Sequence, residues 1–433
     1  MRFGPKNLRI SFTGKALTHF GGIYLLYRFF RQIRLKTSLC NIITFPQRNN
    51  RYTIAEEMLA LIYPMSLGLG RIEATYLLKQ NGVFQYLTGL PTYPNPTTLR
   101  RFLLRMAPMA LPKLRRLHDR LLSAMIQKPY PPTRIIFDLD STVLVLYGRQ
   151  EMAHIGYNPM KRGRPSYHPL LCFNGITRDF WYGELRPGDT HPSTGTTALL
   201  EASFAKLPPS IKTVTIRGDK GFYDHKTIEF LESRKALFAI VARLTRPLKG
   251  KLLTPAYRSH SSGIETAEFT YQPTGWKKGY RFVVIRRPIP EDPTEQLTLF
   301  TLGKYSYQVI VTNMKLKPLN TWRFYNGRAS VELIIKELKG DYPLAKIPTK
   351  HFRANEAYFH ILLFSYNLIN WFKRLCLPKE FQNMTLNTLR TRLLLIPGEL
   401  VRTDNIPTLK LPANFLYKEA FEYGLKKIER LKI

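Results

Sequence analysis

The sequence predicts a mixed α/β protein: a basic helical N-terminal region, a core alternating strand with helix, and a β-rich block set between two parts of that core. Three observations carry this reading. From residue 134 short apolar runs alternate with amphipathic segments. From about 245 to 320 the chain turns to alternating β-branched and aromatic residues. Helical periodicity then returns in GRASVELIIKELKG and FRANEAYFHILLFSYNLINWFKRL.

The N-terminal region covers residues 1–125. In GGIYLLYRFFRQIRLK, Arg28, Arg31 and Arg34 recur at every third position. They read either as a helix with a phosphate-facing side or as solvated surface. TIAEEMLALIYPMSL predicts a helix up to Pro64, because proline removes a donor and crowds the preceding turn. IEATYLLKQNGVFQYLTG follows. In NPTTLRRFLLRM, Asn95 or Thr97 caps a short helix whose Arg100 and Arg101 face outward. A further basic helix, PKLRRLHDRLLSAMIQK, leads into the hinge KPYPPTR. Short helices with basic ends suit a DNA-binding module and an ordinary bundle alike.

The first part of the core spans 130–244. RIIFDLDSTVLVLY is a strand with acids in its middle or at its end. PSYHPLLCFNG and TRDFWYGELRPG are strands and turns, and TALLEASFAKL is a helix. KTVTIRGDKGFYD runs from strand to loop, HKTIEFLES is a helix, and ALFAIVARL is the next strand. The block at 245–320 contains FTYQPTG, YRFVVIRR, LTLFTLG and YSYQVIVTN. The second part of the core covers 321–385, and a basic tail, 386–433, ends in the amphipathic FLYKEAFEYGLKKIERL. The stretch Tyr358 to Trp371 is too short and too polar to span a bilayer and reads as a buried helix.

Charge narrows the partner. With 66 Lys plus Arg against 30 Asp plus Glu, the formal charge is +36 over 433 residues. Self-repulsion on that scale is relieved by a polyanion, and each neutralised phosphate also releases condensed ions. A hydrophobic fraction of 44% excludes a mostly disordered chain. Cys40, Cys172 and Cys376 are too scattered for a disulfide framework or a Cys-based zinc site, which fits a reducing cytoplasm. The start, MRFGPKNLRISF, has no apolar run long enough for a signal peptide, and no membrane partner is expected.

The chemistry is expected from three acids. Asp140 and Asp219 both follow apolar runs, so adjacent strands would hold the two carboxylates together. Like charges in that position need a cation between them. Mg²⁺, or Mn²⁺, takes hard oxygen ligands and keeps several waters. Glu332 would complete the set. It stands with Tyr325, Arg328 and Lys339 at offsets that return to one side of a helix. Arg328 reads as an i,i+4 ion pair with Glu332 or as a phosphate clamp. Lys339 and Tyr325 would contact flanking phosphates, with Lys336 in reserve.

The spacing Y-x2-R-x3-E-x6-K, met by Tyr325, Arg328, Glu332 and Lys339, resembles the signature helix of IS4-group transposases. FDLDSTVLVLYGRQEMAHIGYNPMKRGRPSYHPLLCFNG and YGELRPGDTHPSTG resemble the narrower IS1380 family, and RGDKGFYD resembles the segment holding its second catalytic aspartate. The resemblance implies an RNase H-like core interrupted by a β-rich insertion. It also implies a DDE triad of Asp140, Asp219 and Glu332 binding Mg²⁺ or Mn²⁺. Asp140 is preferred to Asp138 because Thr142 stands two residues beyond it. The implied reaction cuts at element ends and joins 3′-OH ends to target DNA. It acts on terminal inverted repeats, in a homodimer holding two ends, in the bacterial cytoplasm at the nucleoid. A hairpin step would use an extruded base held by Trp276 or Trp322, both of which also suit a core. Two alternatives stand beside this reading. One is an inactive transposase-derived DNA-binding protein. The other is a haloacid dehalogenase-like phosphatase, for FDLDSTV would make Asp138 a nucleophile and Asp140 its acid/base.

Overall fold

The computed structural model describes residues 8, 10–47, 51–158, 161–261, 263–289 and 300–432. The chain divides into two compact units, one of residues 103–370 and one of residues 1–102 with 371–433.

The unit of residues 103–370 is built on a ten-stranded mixed sheet. Its strands are β1 (Arg134–Ser141), β2 (Leu170–Asn174), β3 (Phe180–Glu184), β4 (Thr213–Gly218), β5 (Leu237–Val241), β6 (Arg258–Ser259), β7 (Glu265–Tyr271), β8 (Tyr280–Pro288), β9 (Phe300–Leu302) and β10 (Tyr305–Thr312). The order is β6-β7-β8-β10-β5-β4-β1-β2-β3, with β9 paired to β10. β4 lies parallel to β1, and β5 parallel to β4. On the other side of β1, β2 pairs antiparallel with it and β3 pairs antiparallel with β2. β1 is buried along most of its length, as expected of a strand covered on both faces.

The β-rich block does not form a sheet of its own. β10 pairs antiparallel with β5, so the block extends the core sheet. The sequence shows strands at 245–320 but not their partner, because pairing is a non-local choice.

Helices α1 (Thr196–Phe204) and α2 (His225–Ser233) lie in the connections to β4 and β5. α2 starts at Asp224, whose carboxylate accepts the Thr227 N–H at 3.2 Å. After β10 come α3 (Pro318–Asn326), α4 (Ala329–Gly340) and α5 (Phe352–Cys376). α5 contains the expected buried helix, and its polar residues have work inside. Asn367 accepts the Phe180 N–H at 2.7 Å and donates to the Phe180 carbonyl at 2.8 Å, replacing ladder partners at the β3 edge. Asn370 donates to Asp179 at 2.6 Å and to the Thr177 carbonyl at 2.8 Å. Among the described residues, no helix is long and apolar enough to cross a membrane.

The other unit packs the helices Ile23–Gln32, Leu35–Ile42, Ile54–Ser66, Gly82–Thr88 and Lys418–Arg430 with a small sheet of Leu17–Thr18, Gly398–Thr403 and Ile406–Lys410. The arginine stripe breaks up here. Arg28 pairs with Glu429 at 2.9 Å, and Arg34 stands between two helices at φ 52°. The helix at residue 54 starts in a capping box of Thr53 and Glu56 and runs through Pro64 to Ser66. Proline leaves the Ala60 carbonyl without its helical donor. The Tyr93 hydroxyl donates to that carbonyl at 2.5 Å, which lets the helix continue.

Two expected basic helices, at NPTTLRRFLLRM and PKLRRLHDRLLSAMIQK, are one helix, Pro96–Ile126, with Pro108 and Pro112 inside it. Met106, Ala110 and Leu114 are buried on either side of the prolines. A continuous apolar stripe therefore outweighs two missing hydrogen bonds. Arg101 is exposed as expected, whereas Arg100 is half-buried and paired with Glu73.

Candidate active site

The site grows from the register of β1 and β4. In this parallel pair Asp138 stands opposite Arg217. Side chains alternate along a strand, so Asp140, two residues on, points the same way as Asp138. Asp219 follows β4 directly, in extended backbone (φ −79°, ψ −175°), so it continues level with Asp140. Two neighbouring strands thus end with a carboxylate each, at the end where crevices open in such sheets.

The four residues behave differently. Asp138 and Arg217 form a buried bidentate pair, Nε to Oδ1 at 2.6 Å and Nη2 to Oδ2 at 2.8 Å. Arg217 also donates to the Phe324 carbonyl at the end of α3, at 2.9 Å. Both Asp138 oxygens are occupied, which suits a fastener and not the free nucleophile of a phosphatase. Asp140 accepts the Ser141 N–H at 2.8 Å and lies 3.2 Å from Arg328 Nη2. Burial pushes its carboxyl up to about 6; Arg328 pulls it down, while Asp219 and Glu332 add to the rise. Asp219 is half-buried and held by the Gly221 N–H at 2.8 Å.

The helix stripe is not continuous. Tyr325 ends α3, Glu332 and Lys339 lie on α4, and the two helices are separated by a turn at Gly327–Arg328. Gly327 leaves room there for Arg217, whose Nη1 would stand 2.2 Å from a Cβ at that position. The turn sends Arg328 inward. Its guanidinium donates to the Leu139 carbonyl of β1 from Nη2 at 3.2 Å and reaches Glu332 from Nη1 at 3.1 Å. Arg328 is buried, whereas the Glu332 carboxylate is exposed. The expected phosphate clamp is therefore spent within the chain, tying Asp140 to Glu332. Tyr325 packs among Val283, Ile285 and Ile310, and burial pushes its hydroxyl up to about 12. Lys339 donates to the Val143 carbonyl at 3.0 Å, and burial lowers its pKa. Lys336 is exposed.

The donor set is three hard carboxylates, the chemistry of Mg²⁺ or Mn²⁺. The mutual rise at Asp140 is what such a cation would relieve. Among the described residues, however, no three His, Cys, Asp or Glu side chains stand close enough to hold a metal ion, and a guanidinium occupies the space between Asp140 and Glu332.

Beside Asp219 opens a cleft of about 840 Å³ that also takes in Lys339, Lys220, Arg243 and Lys346. Of this lining, sequence reasoning named Asp219 and Lys339 but missed Lys220, Arg243 and Lys346, and it missed Arg217. The signal for Arg217 was present: an arginine two residues before Asp219 matches an aspartate two residues before Asp140. Trp276 is half-buried, its ring 5.1 Å from Tyr223, 5.2 Å from His225 and 5.3 Å from Tyr280. Trp322 donates to Gln308 at 3.0 Å and packs against the cluster around Tyr325.

The profile of the family described as Transposase DDE domain group 1 matches residues 2–433. The chain belongs to this family. Within the solved structures, this transposase-domain chain is similar to the piggyBac transposase in a cryo-EM synaptic complex with hairpin DNA. The identity is 12% and the TM-score 0.41, over 94% of this chain and 91% of that one. No curated protein matches the sequence.

Proposed function

We propose that the chain is a metal-dependent DDE transposase of the IS1380 type, within the IS4 group, acting on double-stranded DNA. It cuts at terminal inverted repeats and joins the freed 3′-OH ends to target DNA. The observation that carries this is the β1–β4 register, which brings Asp140 and Asp219 level at neighbouring strand ends, with Glu332 tied in through Arg328. The strand order β3-β2-β1-β4-β5 supports an RNase H-like core, with β6 to β10 as its insertion.

Asp140, Asp219 and Glu332 would hold Mg²⁺ or Mn²⁺. Held there, such ions would supply Lewis-acid chemistry, lowering the cost of an attacking water or 3′-hydroxyl and of the leaving oxygen. The chain's own groups position the reaction. The Ser141 N–H and Gly221 N–H orient Asp140 and Asp219. Arg328, anchored on the Leu139 carbonyl, fixes α4 and hence Glu332 relative to β1. Lys339, with Lys220, Arg243 and Lys346 nearby, supplies positive charge for the DNA backbone. A homodimer holding two ends and a place in the bacterial cytoplasm belong to the same proposal.

A second reading, an inactive DNA-binding relative, draws on Arg328 standing where a cation would bridge Asp140 and Glu332. Incubating the protein and Mg²⁺ with DNA from both flanks of its gene separates the two. Cleavage lost in Asp140→Ala, Asp219→Ala and Glu332→Ala, with end binding kept, supports the transposase. No cleavage by the unaltered protein on any flanking DNA supports the inactive relative.

A further inference from the structure

The loop between β3 and α1 is held still by buried side chains. Surface loops are ordinarily the mobile parts of a fold. Here three alternate carbonyls are gripped. His168 Nδ1 meets the Thr190 carbonyl at 2.9 Å, and because a carbonyl can only accept, that nitrogen carries the hydrogen. Arg186 Nη1 donates to the Thr194 carbonyl and reaches the Pro192 carbonyl at 3.5 Å. Arg186 Nε donates to the His168 carbonyl at 2.9 Å, joining the two grips. Both His168 and Arg186 are buried, and Arg186 Nη2 meets no acceptor among the described residues. Burying a cation with an unmet N–H costs free energy, so the grip is a feature that packing alone does not favour. The loop also touches the turn of the second acid: a Cβ at Gly221 would stand 3.1 Å from Pro192 Cβ and 3.0 Å from Asp219 Oδ1.

What this fixed loop displays is His191, exposed on the cleft that takes in Asp219. Its Nδ1 accepts the Ser193 N–H at 3.3 Å and stands 2.9 Å from the Ser193 hydroxyl. A backbone N–H can only donate, so the Nδ1 lone pair is taken and Nε2 carries a hydrogen. The ring therefore offers a hydrogen-bond donor from a set position. Closing the turn does not account for an imidazole there. Asparagine or aspartate accepts the N–H two residues on with a shorter side chain. Histidine closes the turn and also extends a donor beyond it. The surroundings define what that donor meets. Lys220, Arg243 and Lys346 are exposed on the same cleft, and Asp219 is the one carboxylate in its lining among the described residues. A fixed donor among cations suits an oxyanion.

We propose that His191 is a substrate contact, its Nε2–H donating to a non-bridging oxygen of a DNA backbone phosphate that adjoins the one at Asp219. Arg186 is a positioning residue that acts through the loop. The proposal rests on the transposase reading for its ligand, but its test needs no cleavage. Asp140→Ala protein in EDTA is titrated with DNA from the gene's flanks in which one phosphate at a time is a neutral methylphosphonate. At the contacted phosphate the neutral linkage should weaken binding about tenfold. In a protein that also carries His191→Ala the same linkage should cost less than about twofold, with thermal unfolding unchanged because the residue is exposed. His191→Gln should restore part of the penalty, since an amide N–H can donate in its place. Arg186→Lys should blunt the penalty at that position and leave the other positions alone. A His191→Ala profile that matches the parent at every phosphate overturns the contact. An Arg186→Lys profile blunted at all positions alike, or at none, overturns the positioning role. Protein that shows this contact but never cleaves counts against the catalytic proposal and leaves this one standing. Unaltered protein that cleaves, with a binding profile indifferent to residue 191, does the reverse.

Discussion

The Asp138–Arg217 pair fastens β1 to β4 and, through the Phe324 carbonyl, to the end of α3. Arg217→Met removes the guanidinium but keeps much of the side chain's bulk. Asp138, fully buried, would then carry a carboxylate with neither of its two charge-assisted bonds. Breaking one partner of a buried pair costs about 3–5 kcal/mol, because the remaining charge is stranded. Asp138→Asn should cost somewhat less, since an amide can still accept one bond from Arg217. Asp138→Leu combined with Arg217→Met removes both charges and should recover a large part of the loss. Urea unfolding followed by tryptophan fluorescence reads this, because Trp181 packs 5.3 Å from Phe137 on β1. An Arg217→Met loss under about 1 kcal/mol, or a double variant that loses as much as Arg217→Met alone or more, refutes the fastener role. It would also reopen Asp138 as a reacting group.

Other outcomes follow from particular contacts. Tyr93→Phe should cost about 1–3 kcal/mol by orphaning the Ala60 carbonyl, and far less in a Pro64→Ala background, where residue 64 again has an N–H to give; equal costs in both backgrounds would refute the link. His118 meets Asn367 Nδ2 at 2.7 Å, and Arg115 donates to His360 Nε2 at 3.2 Å. Burial lowers His118 to about 3 and holds His360 well below its ordinary value. Both pKa values are depressed, so the unfolded chain takes up protons that the native chain refuses. Stability is then full above about pH 6.5 and falls as pH drops, by about 1.4 kcal/mol per unit for each histidine. Denaturation at pH 7, 6 and 5 should show that slope, and His118→Gln should make it shallower; an unchanged slope in the variant counts against it. Arg328→Lys keeps the charge but cannot grip Leu139, Asp140 and Glu332 together, so cleavage should fall about 100-fold with DNA binding retained. A Lys variant with unchanged cleavage removes Arg328 from positioning.

Much of the frame was legible in the sequence. IIFDLD and TVTIRGD are short enough and apolar enough to be strands, and the acids at their ends mark where a sheet opens. The register that sets Asp140 level with Asp219 was not legible, since strand pairing depends on contacts far apart in sequence. Helical spacing placed Tyr325, Arg328, Glu332 and Lys339 on one side, but a turn at Gly327–Arg328 divides them between two helices, and Arg217, more than a hundred residues away, packs against that turn. Pro64, Pro108 and Pro112 misled for a related reason. Local propensity disfavours them, yet a tyrosine hydroxyl and a buried stripe compensate. The run KRGRPSYH showed its charge plainly, but not that Tyr147 would meet Lys161 and Arg164 over the cleft.

The central claim is that the carboxylates of Asp140, Asp219 and Glu332 act together on a divalent cation. Mn²⁺ binding followed by electron paramagnetic resonance, with DNA from the gene's flanks present, tests it without relying on turnover. The account predicts bound Mn²⁺ in the unaltered protein and affinity at least about tenfold weaker in each of Asp140→Asn, Asp219→Asn and Glu332→Gln. Equal Mn²⁺ affinity in all four proteins would contradict it.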